Sequence, residues 1–317
     1  MNQLVKVAVA QKPPVLLNLQ ASIASAIETI EEAAAQGAKL VMFSETFLPG
    51  YPDWCWNLTA GGSEDRALGN AIHAKLQANS VDLSTHDLQP IQDAAANLGL
   101  VVGMGMNEID NTFSGSTLYN TYVIIGDDGS ILNRHRKLIP TNPERMVWGC
   151  GDASGLRVVD TPFGRIGSLI CWENYMPLSR FALYSQAIDI YLAPTWDRGD
   201  RWIASMRHIA KEGGCWVLSS ATAIKGSDVP LDFLGRDRLF KDDEWVNPGD
   251  AVIVQPGGDV VAGPMHKKTD ILYAEIDIAA SRIARKDMDV SGHYNRPDIF
   301  KLEVDRRPLP PVNFINE

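Results

Sequence analysis

The chain is poor in cysteine, has no long apolar run and carries no excess of positive charge. Its four cysteines in 317 residues are too few for a disulfide framework, and no two of them form a Cys-x-x-Cys pair. No apolar run approaches the roughly 20 residues that cross a bilayer, and the amino-terminal residues lack the features of a signal peptide. The net charge of -10 gives no overall attraction to nucleic acid or to an anionic membrane. We therefore expect a cytoplasmic protein that binds neither nucleic acid nor membrane.

Metal-binding patterns are also missing. The six histidines form no His-x-x-x-His pair, and none lies at zinc spacing from two cysteines. The sequence therefore predicts no structural zinc and no metal centre held by a tight cysteine cluster.

The pattern of apolar residues predicts an α/β fold. Hydrophobic residues make up 45% of the chain, enough for a large core. A strand at residues 4–10, a helix that ends near Gly37 and a strand at residues 39–43 form a crossover unit with parallel strands. Further β-rich runs and helices alternate later, with strands at residues 165–170, 188–193 and 215–220 and helices at residues 177–186 and 200–211.

Hairpin signals indicate that the sheets are mixed. Residues 117–136 contain two strand-like runs around Asp-Asp-Gly, and residues 251–262 contain two around Gly-Gly. About ten strands with few helices suit two face-to-face sheets with helices outside, rather than one open doubly wound sheet. We assign residues 1–307 to a single domain and residues 308–317 to a short proline-rich tail.

Two stretches, at residues 49–65 and 224–250, are longer than ordinary connections and rich in aromatic side chains. Long loops in compact enzymes commonly form walls, lids or subunit contacts, and a solvated surface excursion is the alternative.

One cysteine follows a core strand. Cys171 comes directly after an apolar run that ends at Ile170. Ligands bind at the carboxyl edge of such strands, and a turn there exposes backbone N–H groups that can lower a thiol pKa or hold an anion. Cys171 is therefore a candidate nucleophile, whereas Cys55, Cys150 and Cys215 are typical of small buried side chains.

Two charged residues occupy the same kind of position. Glu45 follows the strand at residues 39–43, and Lys137 follows the strand that ends at Arg136. A carboxylate at such an edge can act as a general base, and a fixed ammonium can stabilise a developing anion. The alternative for both is an ordinary solvated strand end, and the basic run before Lys137 also suits an edge that discourages strand pairing.

The surroundings of these three residues resemble the Glu, Lys and Cys motifs of the nitrilase superfamily. The matching segments read Phe-Ser-Glu-Thr-Phe-Leu-Pro-Gly-Tyr-Pro around Glu45, His-Arg-Lys-Leu-Ile-Pro-Thr around Lys137, and Ile-Cys-Trp-Glu-Asn-Tyr-Met-Pro-Leu around Cys171. Residues 143–149 and 290–298 are similar to the nitrilase branch proper rather than to the amidases or carbamoylases. Within that branch, the Cys segment looks more like plant and cyanobacterial nitrilases than cyanide hydratases.

The resemblance, which spans about residues 4 to 307, implies a four-layer α-β-β-α sandwich and a role for each motif residue. Cys171 would be the nucleophile, Glu45 the general base and Lys137 the cation that stabilises the intermediate. Glu144 would position the others. Candidate substrate contacts in or beside the motifs are Tyr51, Thr141, Trp148, Trp172 and Trp196, and the alternative for each tryptophan is an ordinary place in the core.

The resemblance implies that a nitrile and two waters become a carboxylic acid and ammonia through a covalent thioimidate and thioester. A thiolate suits the weakly electrophilic nitrile carbon, and no metal or organic cofactor is required. An amidase or carbamoylase with the same triad, and a non-catalytic protein on the same fold, are the alternatives. We also expect a homodimer or higher homo-oligomer that packs through the helices after Cys171 and Trp196.

Overall fold

The computed structural model describes residues 4–59, 61–312 and 315. Its strands, in chain order, are β1 (Leu4–Ala10), β2 (Leu40–Met42), β3 (Val101–Asp110), β4 (Thr117–Ile125), β5 (Ile131–Arg136), β6 (Val159–Thr161), β7 (Gly164–Ser168), β8 (Ile190–Thr195), β9 (Trp216–Ala221), β10 (Ala223–Lys225), β11 (Trp245–Val254), β12 (Val260–His266) and β13 (Ile271–Asp277). Its α-helices are α1 (Leu19–Ala35), α2 (Trp54–Asn57), α3 (Ser63–Ala78), α4 (Gln89–Leu98), α5 (Pro177–Tyr184), α6 (Asp200–Gly213), α7 (Arg236–Leu239) and α8 (Ala279–Asp287).

The strands form two mixed sheets. The first has the order β13-β1-β2-β3-β4-β5, and the second has the order β10-β11-β9-β8-β7-β6, with β12 paired to β11. The crossover predicted at the amino terminus is confirmed, since β1 and β2 pair in parallel with Val7 opposite Leu40. Strands β7, β8 and β9 are also parallel, as their connecting helices require.

Three apolar layers separate four layers of secondary structure. Between the sheets, Val7 and Met42 of the first pack in one cluster with Ile190 and Leu192 of the second. Helices α1 and α4 cover the outer face of the first sheet through side chains such as Ile30. Helix α6 packs on the outer face of the second sheet through Trp202, Met206 and Ile209. The structure confirms the predicted α-β-β-α sandwich.

Several local predictions were wrong. Helices α3 and α4 were not predicted, because α3 buries only Ile72 and Leu76 and its apolar period is therefore weak. The predicted loop at residues 224–250 contains β10, α7 and the start of β11, whose Asn-Pro-Gly-Asp segment reads as a turn. Cys150 was predicted to be buried but is exposed.

The first few residues after β2 approach the first sheet closely. A Cβ at Gly105 in β3 would overlap the carbonyl oxygen of Ser44, so only glycine lets this segment lie directly on the strand. Glu45, which follows Ser44, is 1% exposed. The close approach therefore places a carboxylate inside the protein at the edge of the sheet.

The segment after α8 lies on the surface of the domain and contains turns at residues 290–294 and 297–299. In the tail, the Leu309 N–H donates to Asp152 Oδ2 at 3.0 Å, while residues 313, 314, 316 and 317 lie outside the described residues. None of the helices described here has the length and apolar character needed to cross a membrane.

Candidate active site

The three motif residues come together at one edge of the sandwich. Glu45 follows β2, Lys137 follows β5 and Cys171 follows β7. Their side chains are buried, with residue exposures of 1%, 1% and 4%. The first two belong to one sheet and the third to the other, so the site is built where the carboxyl ends of strands from both sheets meet.

Lys137 lies between two carboxylates. Its Nζ is 2.8 Å from Glu45 Oε1 and 2.8 Å from Glu144 Oε2. Burial alone would lower the pKa of Lys137, but the neighbouring acidic groups raise it above its usual range. The ammonium is therefore a permanent cation inside the site.

Glu45 has one oxygen engaged and one free of protein partners. Oε1 accepts hydrogen bonds from Lys137 and, at 2.7 Å, from Asn120 Nδ2. Oε2 is buried and has no hydrogen-bond partner among the described residues. Burial raises the pKa of Glu45, although Lys137 opposes this. A buried carboxylate with an unengaged oxygen is suited to take a proton.

Cys171 begins a 3₁₀ turn, Cys171–Tyr175, with φ of 51°, in the left-handed region that side-chain-bearing residues rarely adopt. A turn at such a strand end can lower a thiol pKa, but the direction at Cys171 is the opposite. Burial raises the pKa of Cys171 and the charge of Glu45 adds to this, against the opposing effects of Lys137 and the Thr195 hydroxyl. Burial therefore favours the neutral form of the thiol.

A cavity of about 410 Å³ opens onto Cys171 and Glu144. Four of the predicted substrate contacts line it, namely Tyr51, Thr141, Trp172 and Trp196. Trp172 is 45% exposed and donates from Nε1 to Asp197 Oδ2 at 2.9 Å. The structure thus places aromatic walls above the thiol.

Trp148 lies outside the lining of this cavity. The ring centroid of Trp148 is 5.7 Å from that of Tyr51 in an edge-on arrangement. Lys137 Nζ lies 5.9 Å from the Trp148 ring centroid. Its Nε1 donates to Asn107 Oδ1 at 2.9 Å. In this position Trp148 supports the cavity wall from behind.

Tyr51 joins the cavity wall to the charged cluster. Its ring stacks on Trp196 with centroids 4.4 Å apart and planes 7° apart. Its hydroxyl donates to Glu144 Oε1 at 2.6 Å and accepts from Trp56 Nε1 at 2.9 Å. Burial raises the pKa of Tyr51 well above its usual value, so the phenol remains a donor to Glu144.

Sequence reasoning missed two residues that contact the motif side chains. Asn120 donates a hydrogen bond to Glu45, and an amide side chain inside the predicted strand β4 was an available signal. Thr195 contacts Cys171 and ends β8 directly before Trp196, a position that the strand-end argument could have included. Asp53 and Arg198 also line the cavity and carried no signal beyond their loop positions.

No group of three or more His, Cys, Asp or Glu side chains in the described part of the chain could hold a metal ion.

The raised pKa of Glu45 predicts the position of the acid limb of kcat/KM. The general base that the motif resemblance implies for Glu45 acts only when ionised, so we expect activity to fall as the pH drops through the raised pKa of Glu45. We expect the limb to lie above the ordinary glutamate value of 4.5. A profile of kcat/KM from about pH 4 to about pH 9 measures it, because that profile reports groups of the free enzyme. A limb at or below the ordinary value would contradict the assignment.

Comparisons with known proteins identify the family of the chain. Residues 6–286 match the carbon-nitrogen hydrolase family. The chain is 41% identical over 304 residues to an aliphatic nitrilase of Sinorhizobium fredii, with 96% of each chain covered. It is 39% identical to nitrilase 3 of Arabidopsis thaliana, covering 99% of this chain and 90% of that protein.

Solved structures show the same fold at lower identity. A Saccharomyces cerevisiae member of branch 10 of the nitrilase superfamily superposes with a TM-score of 0.72 at 20% identity, covering 93% of this chain and 97% of that chain. The predicted family resemblance is confirmed: the chain belongs to the carbon-nitrogen hydrolase family and, within it, to the nitrilases, enzymes that hydrolyse nitriles.

Proposed function

We propose that the protein converts an organic nitrile to a carboxylic acid and ammonia by covalent catalysis at Cys171. The observation that carries this mechanism is the buried cluster beside the thiol, in which Lys137 is held between Glu45 and Glu144. Such a cluster supplies a base and a fixed cation where a nucleophile attacks.

In the first half of the reaction, Glu45 takes the Cys171 proton while sulfur attacks the nitrile carbon. One bond of the C≡N group becomes the N–H bond as the proton passes to nitrogen, which gives a covalent thioimidate. Lys137 and a backbone N–H near Trp172 stabilise the charge that develops on nitrogen. Preorganised donors of this kind contribute typically about 3 kcal/mol each.

In the second half, Glu45 activates a water that adds to the thioimidate carbon. The C–N bond then breaks, ammonia leaves and a thioester remains. A second water attacks the thioester, the C–S bond breaks, and the acid leaves with the thiol restored. Each water needs a base, and the free Oε2 of Glu45 is suited to serve in both additions.

Glu144 acts in this scheme by holding Lys137 and the cavity wall in one arrangement. Its Oε2 accepts from Lys137 at 2.8 Å and from the Thr141 N–H at 2.6 Å, and its Oε1 accepts from Tyr51. The carboxylate therefore links the catalytic cation to two residues that line the cavity. We propose that Tyr51, Thr141, Trp172 and Trp196 contact the substrate, with Trp148 acting from behind Tyr51.

Ammonia release tests the proposed reaction. Aliphatic, aromatic and arylaliphatic nitriles, a dinitrile and cyanide are each assayed beside the corresponding amide where one exists. We expect turnover of organic nitriles that exceeds turnover of their amides. Turnover of amides alone would leave the triad in place but would assign the protein to amide hydrolysis.

We also propose that the protein forms a homodimer through α5 and α6. A groove of about 1210 Å³ runs between α5 and the surface segment at residues 290–306. Apolar side chains in it are exposed in the single chain, with Leu178 at 65%, Ile299 at 57% and Phe300 at 72%. Covering such a face with a second copy would remove this apolar surface from water.

Light scattering measures this assembly. The expected mass is at least twice the 34.8 kDa of one chain, and Leu178→Asp is expected to lower it towards that of one chain. Leu231→Asp is the matched control, because Leu231 is 87% exposed but lies outside the groove. A wild-type mass equal to one chain would refute the dimer.

A reducing, cytoplasmic location follows from the proposed chemistry. The nucleophile must be a free thiol, and all four cysteines are unpaired. We further propose that residues 1–307 form the single catalytic domain, with residues 308–317 as its tail.

A further inference from the structure

Glu173 is a buried carboxylate that does not belong to the proposed catalytic set. It lies two residues after Cys171 and is 1% exposed. Its Oε2 accepts the Ile170 N–H at 2.7 Å, and its Oε1 accepts the Leu138 N–H at 2.5 Å. Ile170 immediately precedes the thiol and Leu138 immediately follows Lys137. One side chain therefore joins the two segments that carry the nucleophile and the cation.

His135 completes the link. Its Nε2 lies 3.0 Å and 3.2 Å from the two oxygens of Glu173, and it is on β5, two residues before Lys137. Burial alone would raise the pKa of Glu173, but His135 and the two backbone N–H groups hold it below its usual range. Glu173 is therefore ionised, and both its oxygens act as acceptors.

The hydrogen bonds of Glu173 connect one sheet to the other. Lys137 follows β5 of the first sheet and Cys171 follows β7 of the second. The sheets otherwise meet mainly through apolar side chains, whose contacts have no preferred direction. Hydrogen bonds fix distance and angle, so the ionised Glu173 can set the separation of the two catalytic groups. Asn174, by contrast, holds the turn within its own segment, donating to the carbonyls of Leu169 and Cys171.

We propose that Glu173 is a positioning residue that fixes the Cys171 thiol relative to the Lys137 ammonium. This proposal rests on the mechanism proposed above. Misplacement of reacting groups by about 1 Å can cost about 100-fold in rate, whereas the Glu173 side chain makes no hydrogen bond to any of the four cavity residues proposed to contact substrate. Its loss should therefore lower kcat much more than it changes KM.

The test compares Glu173→Gln and Glu173→Asp with wild type, measured per mole of folded protein. Glutamine keeps the shape but has one acceptor oxygen, so it can hold only one of the two segments. We expect kcat to fall about 100-fold with KM within about threefold of wild type. Aspartate keeps both acceptor oxygens on a shorter side chain. The kcat of Glu173→Asp should therefore lie between the values of wild type and of Glu173→Gln.

Asp189→Asn is the matched control. Asp189 is 2% exposed and accepts from the Arg165 N–H and from Arg285, but it precedes β8, at the opposite end of that strand from Thr195. We expect this variant to lose stability while the folded enzyme keeps the wild-type kcat.

A pH profile separates positioning from structural support. Lys137 lowers the pKa of Glu45, so a Lys137 that is displaced in Glu173→Gln should move the acid limb of kcat/KM to higher pH. Asp189→Asn should leave the limb in place. The proposal is overturned if folded Glu173→Gln keeps kcat within about threefold of wild type, or if its acid limb is unmoved. Failure of the mechanism would appear separately, as activity retained in Cys171→Ala.

Discussion

Cys171→Ala is expected to abolish nitrile hydrolysis, with a loss of more than about 10⁴-fold in kcat, because removal of a nucleophile eliminates the covalent route entirely. The cost in stability should be small, on the order of 1 kcal/mol, because only a sulfur atom is removed from the core. Ammonia release and thermal unfolding measured on the same preparation separate the two effects.

Cys215→Ala is the control for this change. Cys215 is as buried as Cys171, with 0% exposure, but it precedes β9 at the edge of the sheet away from the cavity. Its replacement should leave kcat unchanged. Activity retained in Cys171→Ala, or lost equally in both variants, would contradict covalent catalysis at Cys171.

Lys137→Ala is expected to impair both activity and stability. Loss of one donor to a developing charge costs roughly 10²- to 10³-fold in kcat. The variant also leaves Glu45 and Glu144 buried without their shared cation, and breaking such a buried pair costs about 3–5 kcal/mol. Urea unfolding and ammonia release measure the two losses.

The stability loss in Lys137→Ala should depend on pH with a defined sign. Without the ammonium, which opposes the effect of burial, the pKa of Glu45 should rise further above its unfolded value. Such a group favours folding at low pH, and that contribution is lost as the pH rises through its folded pKa. The free energy of unfolding of the variant should therefore be closer to that of wild type at about pH 5 than at about pH 7.

Lys12→Ala is the control for Lys137→Ala. Lys12 pairs with Glu32, but the two side chains are 26% and 48% exposed, and such surface pairs contribute about 1 kcal/mol or less. If Lys137→Ala lost no more stability than Lys12→Ala, the description of Lys137, Glu45 and Glu144 as a buried ionic cluster would be contradicted.

The predictions that succeeded came from local patterns. Apolar periodicity predicted β1, α1 and β2 and their parallel crossover, because each signal lies within a few residues of chain. The same patterns failed for α3, whose exposed surface leaves few apolar positions, and for β11, where Asn247 and Pro248 suggest a turn inside a strand. Boundaries and weakly amphipathic elements depend on packing that a short window of sequence does not contain.

The sequence by itself determined the α/β class, the nitrilase motifs and the three strand-end residues Glu45, Lys137 and Cys171, because residue chemistry and hydrophobic period are local properties. Only the tertiary structure decided that Lys137 lies between two glutamates, that burial raises the pKa of the Cys171 thiol and that Glu173 joins the two sheets beside it. These facts depend on the distances between segments far apart in the chain and on burial, both of which arise when the two sheets pack together.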